Sequence, residues 1–232
     1  MRSDCCAMPE IAENLKALNQ RIAAAAGRSG RRPDEITLVA VTKTVGASQI
    51  RKALAAGVTD IGENYVQEAI DKYLQIGAGP RWHMIGHLQR NKAKHAVGVF
   101  DLVQAVDSLE LAEELGKRAL TVGKTMDILI EINVSGEESK FGIKPAQALS
   151  LASRIAQVEG VRVQGLMSMA PFMDNAEETR PYCAALKALW DRLPDEQRRF
   201  LSMGMTQDFE VAIEEGANMV RVGTAIFGPR RA

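Results

Sequence analysis

Three cysteines in 232 residues are too few to staple a fold, and their odd number gives no disulfide framework. Two of them are adjacent, Cys5-Cys6, a pair that rarely bridges itself, so the usage fits a reducing cytoplasm. Charge of one sign is missing as well. With 29 basic and 29 acidic residues the formal charge is zero, which argues against a nucleic acid or a membrane surface recruited by net field. No apolar run approaches the roughly 20 residues that a bilayer-spanning helix needs. Met1 to Glu10 lacks the apolar core of a secretory signal. No Ser/Gly-rich or Pro-rich linker divides the chain. The expectation is a soluble, cytoplasmic protein with one domain over 9–232, behind a frayed tail over 1–8 in which Met8 is a candidate start.

What is present alternates short apolar runs with amphipathic stretches. Ile11, Leu15, Leu18 and Ile22 mark a leading helix at helical spacing. Eight strand candidates follow: Ile36–Val41, Thr59–Gly62, Trp82–Gly86, Asp101–Ala105, Asp127–Asn133, Val161–Met167, Phe200–Met203 and Met219–Val222. Helical segments lie between them. One starts near Asp107 with Glu110 three residues on, in the manner of a capping box. Another has Pro145 at its first position and Leu149, Ala152 and Ile155 on its inner face. Cys183 falls among the apolar positions of a further helix and reads as core filler. Eight alternations in about this length predict an α/β protein, a (β/α)8 TIM barrel with an extra N-terminal helix. A doubly wound open sheet is the alternative. Thr42-Lys43-Thr44 stands where its Gly-rich fingerprint would be, which favours the barrel.

In such a barrel function sits on the loops leaving the C-terminal strand ends, and polar residues gather there. Lys43 ends the run Ile36-Thr37-Leu38-Val39-Ala40-Val41-Thr42. An ammonium group at the end of a strand buried on both faces tends toward the free amine that attacks a carbonyl. Glu63 and Asn64 follow the second strand, and His83 and His87 bracket the third. Asn133 and Ser135 end the fifth, Ser168 follows Met167 at the end of the sixth, and Ser202 and Gly204 end the seventh. The last strand runs Val220-Arg221-Val222-Gly223-Thr224, with Gly and Thr where a short helix begins. That arrangement admits a phosphate, and Ser202-Met203-Gly204 supplies the other wall. An aldehyde-trapping lysine with a phosphate cup suits pyridoxal 5'-phosphate (PLP) or a sugar phosphate. Arg221 favours the first, since a guanidinium keeps its proton and leaves a facing pyridine nitrogen unprotonated.

The segments Leu38–Thr44, Gly62–Glu68, Trp82–Lys92, Ile132–Ile143, Gly165–Pro171 and Leu201–Gly228 resemble the pyridoxal phosphate homeostasis protein family, a single-domain relative of the barrel half of alanine racemase. The likeness runs from about Pro9 to the end. Its most specific motifs are Trp-His-x-Ile-Gly-His-Leu-Gln, from Trp82, and Ser-Met-Gly-Met, from Ser202. Arg90 stands where the family more often has Ser, away from any cofactor contact. The resemblance implies that Lys43 carries a Schiff base to PLP, that Ser202, Gly223 and Thr224 hold the phosphate, that Arg221 faces the ring nitrogen and that Asn64 lies near the ring. His83, Met167, Ser168 and Met203 complete the candidate contacts. The polar loop Glu137-Glu138-Ser139-Lys140 is a candidate to close over the cofactor.

The implied role is intracellular storage and delivery of PLP by a monomer, with apo PLP-dependent enzymes as transient recipients. Racemisation needs a second base, which alanine racemases take from a tyrosine on a C-terminal β domain without counterpart before Ala232. Tyr65, Tyr73 and Tyr182 all fall in helical segments, so little or no catalysis is expected. A racemase-like enzyme and a PLP-free Schiff-base aldolase on a sugar phosphate, with Glu63 or Asp208 as its acid or base, are the alternatives. His83 and His87 lack a third ligand for zinc. Arg90-Asn91-Lys92-Ala93-Lys94-His95 reads as a solvated helix face.

Overall fold

The computed structural model describes residues 10–137 and 140–229. Eight parallel strands close into a barrel in sequence order: β1 (Thr37–Val41), β2 (Asp60–Glu63), β3 (Arg81–Met84), β4 (Leu102–Val106), β5 (Met126–Glu131), β6 (Val161–Met167), β7 (Phe200–Ser202) and β8 (Met219–Val222). Leu38 pairs with Val220 and Val39 with Arg221, so the last strand returns to the first. The helices are α1 (Ile11–Arg28), α2 (Ala47–Ala55), α3 (Val66–Ile76), α4 (Ala93–Val99), α5 (Leu109–Thr121), α6 (Ala148–Ile155), α7 (Arg180–Trp190), α8 (Phe209–Glu214) and the single turn α9 (Thr224–Phe227). This is the expected (β/α)8 barrel with its leading helix.

Alternation along each strand creates two apolar layers. Val39, Leu102, Leu129, Met167, Phe200 and Met219 meet inside the barrel. Their outward neighbours Ala40, Val103, Ile128, Leu201 and Val220 join the inner faces of the helices in a larger shell. Each large side chain taken from water there contributes about 1.5–3 kcal/mol. Leu15, Leu18 and Ile22 bury the inner face of α1 against this shell, while Ile11 is half-buried. Asn14 Nδ2 donates to the Ile226 carbonyl at 2.9 Å, and Arg31 donates to the Ile213, Gly216 and Ala217 carbonyls at the end of α8. The leading helix and the turn after it therefore brace the two helices that precede and follow β8.

Gly165 is where β6 departs from regular pairing. Its φ is +149°, and a Cβ there would lie 1.8 Å from the Phe200 carbonyl oxygen. Only glycine lets β6 approach β7 at this point.

Several boundaries differ from the sequence pattern. β5 stops at Glu131 rather than Asn133, because Ile143 returns alongside: its N–H donates to the Glu131 carbonyl, leaving Ile132 a lone bridge. β3 covers Arg81–Met84, and Gly86 instead presses on the Asn64 backbone, where a Cβ would sit 2.6 Å from its carbonyl oxygen. Ser108, not Asp107, caps α5; no side-chain cap bond forms, and the Ser108 hydroxyl is spent on the Asp107 carboxylate at 3.3 Å. Tyr65 is the exposed residue before α3, outside the helix, whereas Tyr73 and Tyr182 are helical. Pro145 opens a 3-10 turn that leads into α6, where Leu151 takes the buried place and Leu149 is half-buried. Cys183 is buried in α7, and burial pushes its thiol up to about 12, so it stays protonated. The tail over 1–8, with Cys5, Cys6 and Met8, and the loop residues Glu138 and Ser139 lie outside the described residues.

Candidate functional site

Beyond Val41 the chain leaves β1 through Thr42, Lys43 and Thr44. Thr42 turns outward, and its Oγ1 donates to Glu63 Oε1 at 2.5 Å. Lys43 turns the other way. With Val41, Thr44, Gln49, Gly223 and Thr224 it lines a cavity of about 360 Å³ at the C-terminal end of the barrel. Gly223 has an ordinary φ of −120°, so its role is space. A Cβ there would meet Val41 Cβ and the Val41 carbonyl at 3.2 Å, filling the seam between β8 and β1 that forms the cavity wall. At a helix start the first amides, here those of Thr224 and Ala225, have no partner within the helix.

Thr44 has φ +64°, the one positive value outside glycine among the described residues. For a β-substituted residue the left-handed region costs about 1–2 kcal/mol. Its N–H donates to Glu68 Oε1 at 2.6 Å. Lys72, one turn later on α3, completes the support: its buried Nζ donates to the Thr42 carbonyl at 2.6 Å and to Glu63 and Glu68 Oε1 at 2.7 Å each. Burial pushes the Glu63 carboxyl up despite its bonds to Lys72 and Thr42, and its Oε2 is buried without a partner.

A second set of polar groups crosses the barrel interior as one directed chain. Arg221 donates to Ser202 Oγ at 2.5 Å, and Ser202 donates to Gln104 Oε1 at 2.7 Å. Gln104 Nε2 lies 2.9 Å from His83 Nδ1, and His83 Nε2 lies 2.8 Å from Asp60 Oδ1. An amide nitrogen can only donate, so Nδ1 accepts and the His83 proton sits on Nε2. Burial lowers His83 further than Asp60 raises it, so the ring is neutral and the contact is a hydrogen bond. Burial alone would raise Asp60; its bonds from His83 and Thr59 and the charge of Arg81 bring it below the usual range. Arg221 also donates to the Ser168 carbonyl at 2.8 Å. Burial pulls its guanidinium down to about 10, which leaves it charged at neutrality.

Glu131 ends β5 beside this chain, 3% exposed, with Oε2 unpartnered. Burial, helped by the Asp107 charge and opposed by Arg221, raises its carboxyl to about 7. The loop after β5 is pinned where it leaves the strand. Asn133 Oδ1 accepts from Gly136 N at 2.9 Å, Lys140 pairs with Glu137 at 2.9 Å and reaches the Ala170 carbonyl at 3.4 Å, and Phe141 stacks on His87 at 4.0 Å.

Residues 13–231 match the family model described as alanine racemase, N-terminal domain. A pyridoxal phosphate homeostasis protein of Escherichia coli K12 is 42% identical over 231 residues, 96% of this chain and 98% of its own; one from Aquifex aeolicus is 41% identical over 94% and 98%. The chain belongs to the pyridoxal phosphate homeostasis protein family. PipY of Synechococcus elongatus, a structure with PLP bound, is 35% identical with a TM-score of 0.80, covering 94% of this chain and all of that one. An alanine racemase of Clostridium difficile shares the fold at 17% identity and TM-score 0.76, over 96% of this chain and 60% of its own.

In this pyridoxal phosphate homeostasis protein family member the candidate residues divide by location. Lys43, Gly223 and Thr224 share the mouth cavity. Asn64 follows β2 at the same end, held against Gly86. Arg221, Ser202, Ser168 and His83 belong to the buried chain, and Met167 to the apolar barrel interior. The Ser202 hydroxyl has both its donor and an acceptor position engaged there. Met203 packs behind β7 in the outer shell, away from Lys43. His83 and His87 lie apart, the first inside the barrel and the second against Phe141 and Asp107. Sequence reasoning passed over Glu131, Gln104 and Asp60. Glu131 carried the signal that marked Arg221, a charge inside an apolar strand, Leu129-Ile130-Glu131-Ile132, but the strand was expected to run two residues past it.

Proposed function

We propose that this protein binds pyridoxal 5'-phosphate through a Schiff base on Lys43 and serves intracellular PLP homeostasis by storing and delivering it. The observation that carries the reading is the shared cavity of Lys43, Gly223 and Thr224, with Arg221 two residues before Gly223 on the strand that leads into it. Relatives above 40% identity bear the homeostasis name, and PipY was solved with PLP bound. The residues fit the cofactor: the Gly223 seam is a cradle that a Cβ would fill. In this reading Gly223, Thr224 and Ser202 hold the phosphate, the last through its backbone since its hydroxyl is engaged. Arg221 faces the ring nitrogen and Asn64 flanks the ring, with His83, Met167, Ser168 and Met203 supporting the pocket from behind. When bound, the cofactor would supply an aldehyde, and Lys43 would hold it through its Nζ amine. A charged Arg221, fixed by two hydrogen bonds, withholds the ring proton that carbanion chemistry draws on.

Storage rather than turnover, a monomeric state, a single domain over 9–232 and transfer to apo PLP-dependent enzymes belong to the same proposal. Borohydride reduction followed by peptide mapping tests its core. Wild type is expected to carry a reduced pyridoxyl group on Lys43, and Lys43→Ala to carry none. Label elsewhere, or a wild type that takes up no PLP, overturns the reading and advances a sugar-phosphate aldolase. Steady racemisation of free alanine or serine would replace storage with catalysis.

A further inference from the structure

Lys72 and Glu68 are not among the residues that line the cavity, yet they grip both peptide groups that flank Lys43. We propose that this pair positions Lys43: Lys72 holds the carbonyl on its N-terminal side, at Thr42, and Glu68 holds the N–H on its C-terminal side, at Thr44. The inference rests on the reading of Lys43 as the PLP anchor.

Three features support it. α3 places Glu68 and Lys72 four residues apart on one face, so a single helix delivers both, and Glu68 Oε1 accepts from Lys72 and from Thr44 at once. The grip is stiff, because Lys72 is also bonded to Glu63, whose other carboxylate contact is Thr42. Thr44 sits in the left-handed region, a conformation a threonine keeps only when its surroundings impose it. Releasing the Thr44 N–H frees the chain to relax toward ordinary torsions, and Lys43 would swing with it. Val41 belongs to β1 and Gly223 directly follows β8, so the cavity walls they form would stay. The pair therefore governs attack by Nζ on an aldehyde, and not occupancy of the cavity by the rest of the ligand.

Two ligands separate these roles: PLP, which carries the aldehyde, and pyridoxine 5'-phosphate, which has the same ring and phosphate but an alcohol in its place. The main variant is Glu68→Ala, since Glu68 is partly exposed and its loss strands no buried charge. It is expected to weaken PLP binding and slow adduct formation on Lys43 by about tenfold each, the equivalent of ~1.4 kcal/mol. Pyridoxine 5'-phosphate should bind within about twofold of wild type. Glu68→Gln keeps an acceptor for the Thr44 N–H and should recover most of the loss, as Lys72→Arg should where Lys72→Met does not. Unchanged adduct formation in Glu68→Ala, or an equal loss of both ligands, overturns the inference while the Lys43 assignment stands. A wild type that binds pyridoxine 5'-phosphate yet forms no adduct with PLP overturns the anchor reading, and this inference with it.

Discussion

Glu131 shows how one side chain can set a pH dependence. Its carboxyl is held at about 7 instead of 4.5, chiefly by burial. Between those values the folded chain keeps a proton that the unfolded chain releases, so its stability is full below the lower value and falls as pH rises through the upper. The difference corresponds to as much as ~3 kcal/mol. Glu131→Gln removes the ionisation and keeps the shape. We expect the variant to match wild type near pH 4.5 and to exceed it by about 1–3 kcal/mol near pH 8. Urea unfolding of the PLP-free protein at both pH values measures this, and an equal offset at the two would contradict it. At the same scale Lys43 was legible, because an ammonium ending an apolar strand is conspicuous. Gln104 and Asp60 were not, because uncharged or strand-start polar residues look ordinary until a barrel turns them inward.

Elements were easier to locate than to bound. β6 and β8 begin and end where their apolar runs do. β3 and β5 end early, since pairing with a neighbouring strand, not propensity, decides where a ladder stops. The start of α5 has the capping pattern without the capping bond, Ser108 having turned to Asp107 instead. β6 depends on Gly165 more than its pattern suggests. Gly165→Ala drives a methyl onto the Phe200 carbonyl at a φ that alanine resists. The expected loss is about 3 kcal/mol, read as a lower urea midpoint with an unchanged slope. A variant as stable as wild type would mean that β6 can move away from β7 freely. α1, an addition to the repeating plan, braces α9 through Asn14 and α8 through Arg21 and Arg28, which pair with Glu210 and Glu214.

At the scale of the whole molecule, an interior core drawn from six of the eight strands lies within a shell to which all eight contribute, and the buried path through Asp60 and His83 ties β2 and β3 to that interior, so neither layer has a boundary along which part of the barrel could come away. A single cooperative transition is expected. Trp82 reports from the shell beside α3 and Trp190 from the end of α7. Unfolding followed by fluorescence of single-tryptophan variants at the two positions should coincide with far-UV circular dichroism, and separate midpoints would disprove the one-domain reading. The sequence by itself determined the alternation of strands and helices, hence the barrel, and the strand ends at which polar residues gather, hence Lys43, Gly223 and Thr224. Both follow from periodicity, a local property of the chain. Only the tertiary structure decided which polar groups meet. The path Arg221–Ser202–Gln104–His83–Asp60 joins five residues from five strands, and the grip of α3 on Thr42 and Thr44 spans some 30 residues of chain. No local pattern encodes such meetings, because closing the sheet is what brings those side chains within hydrogen-bonding distance.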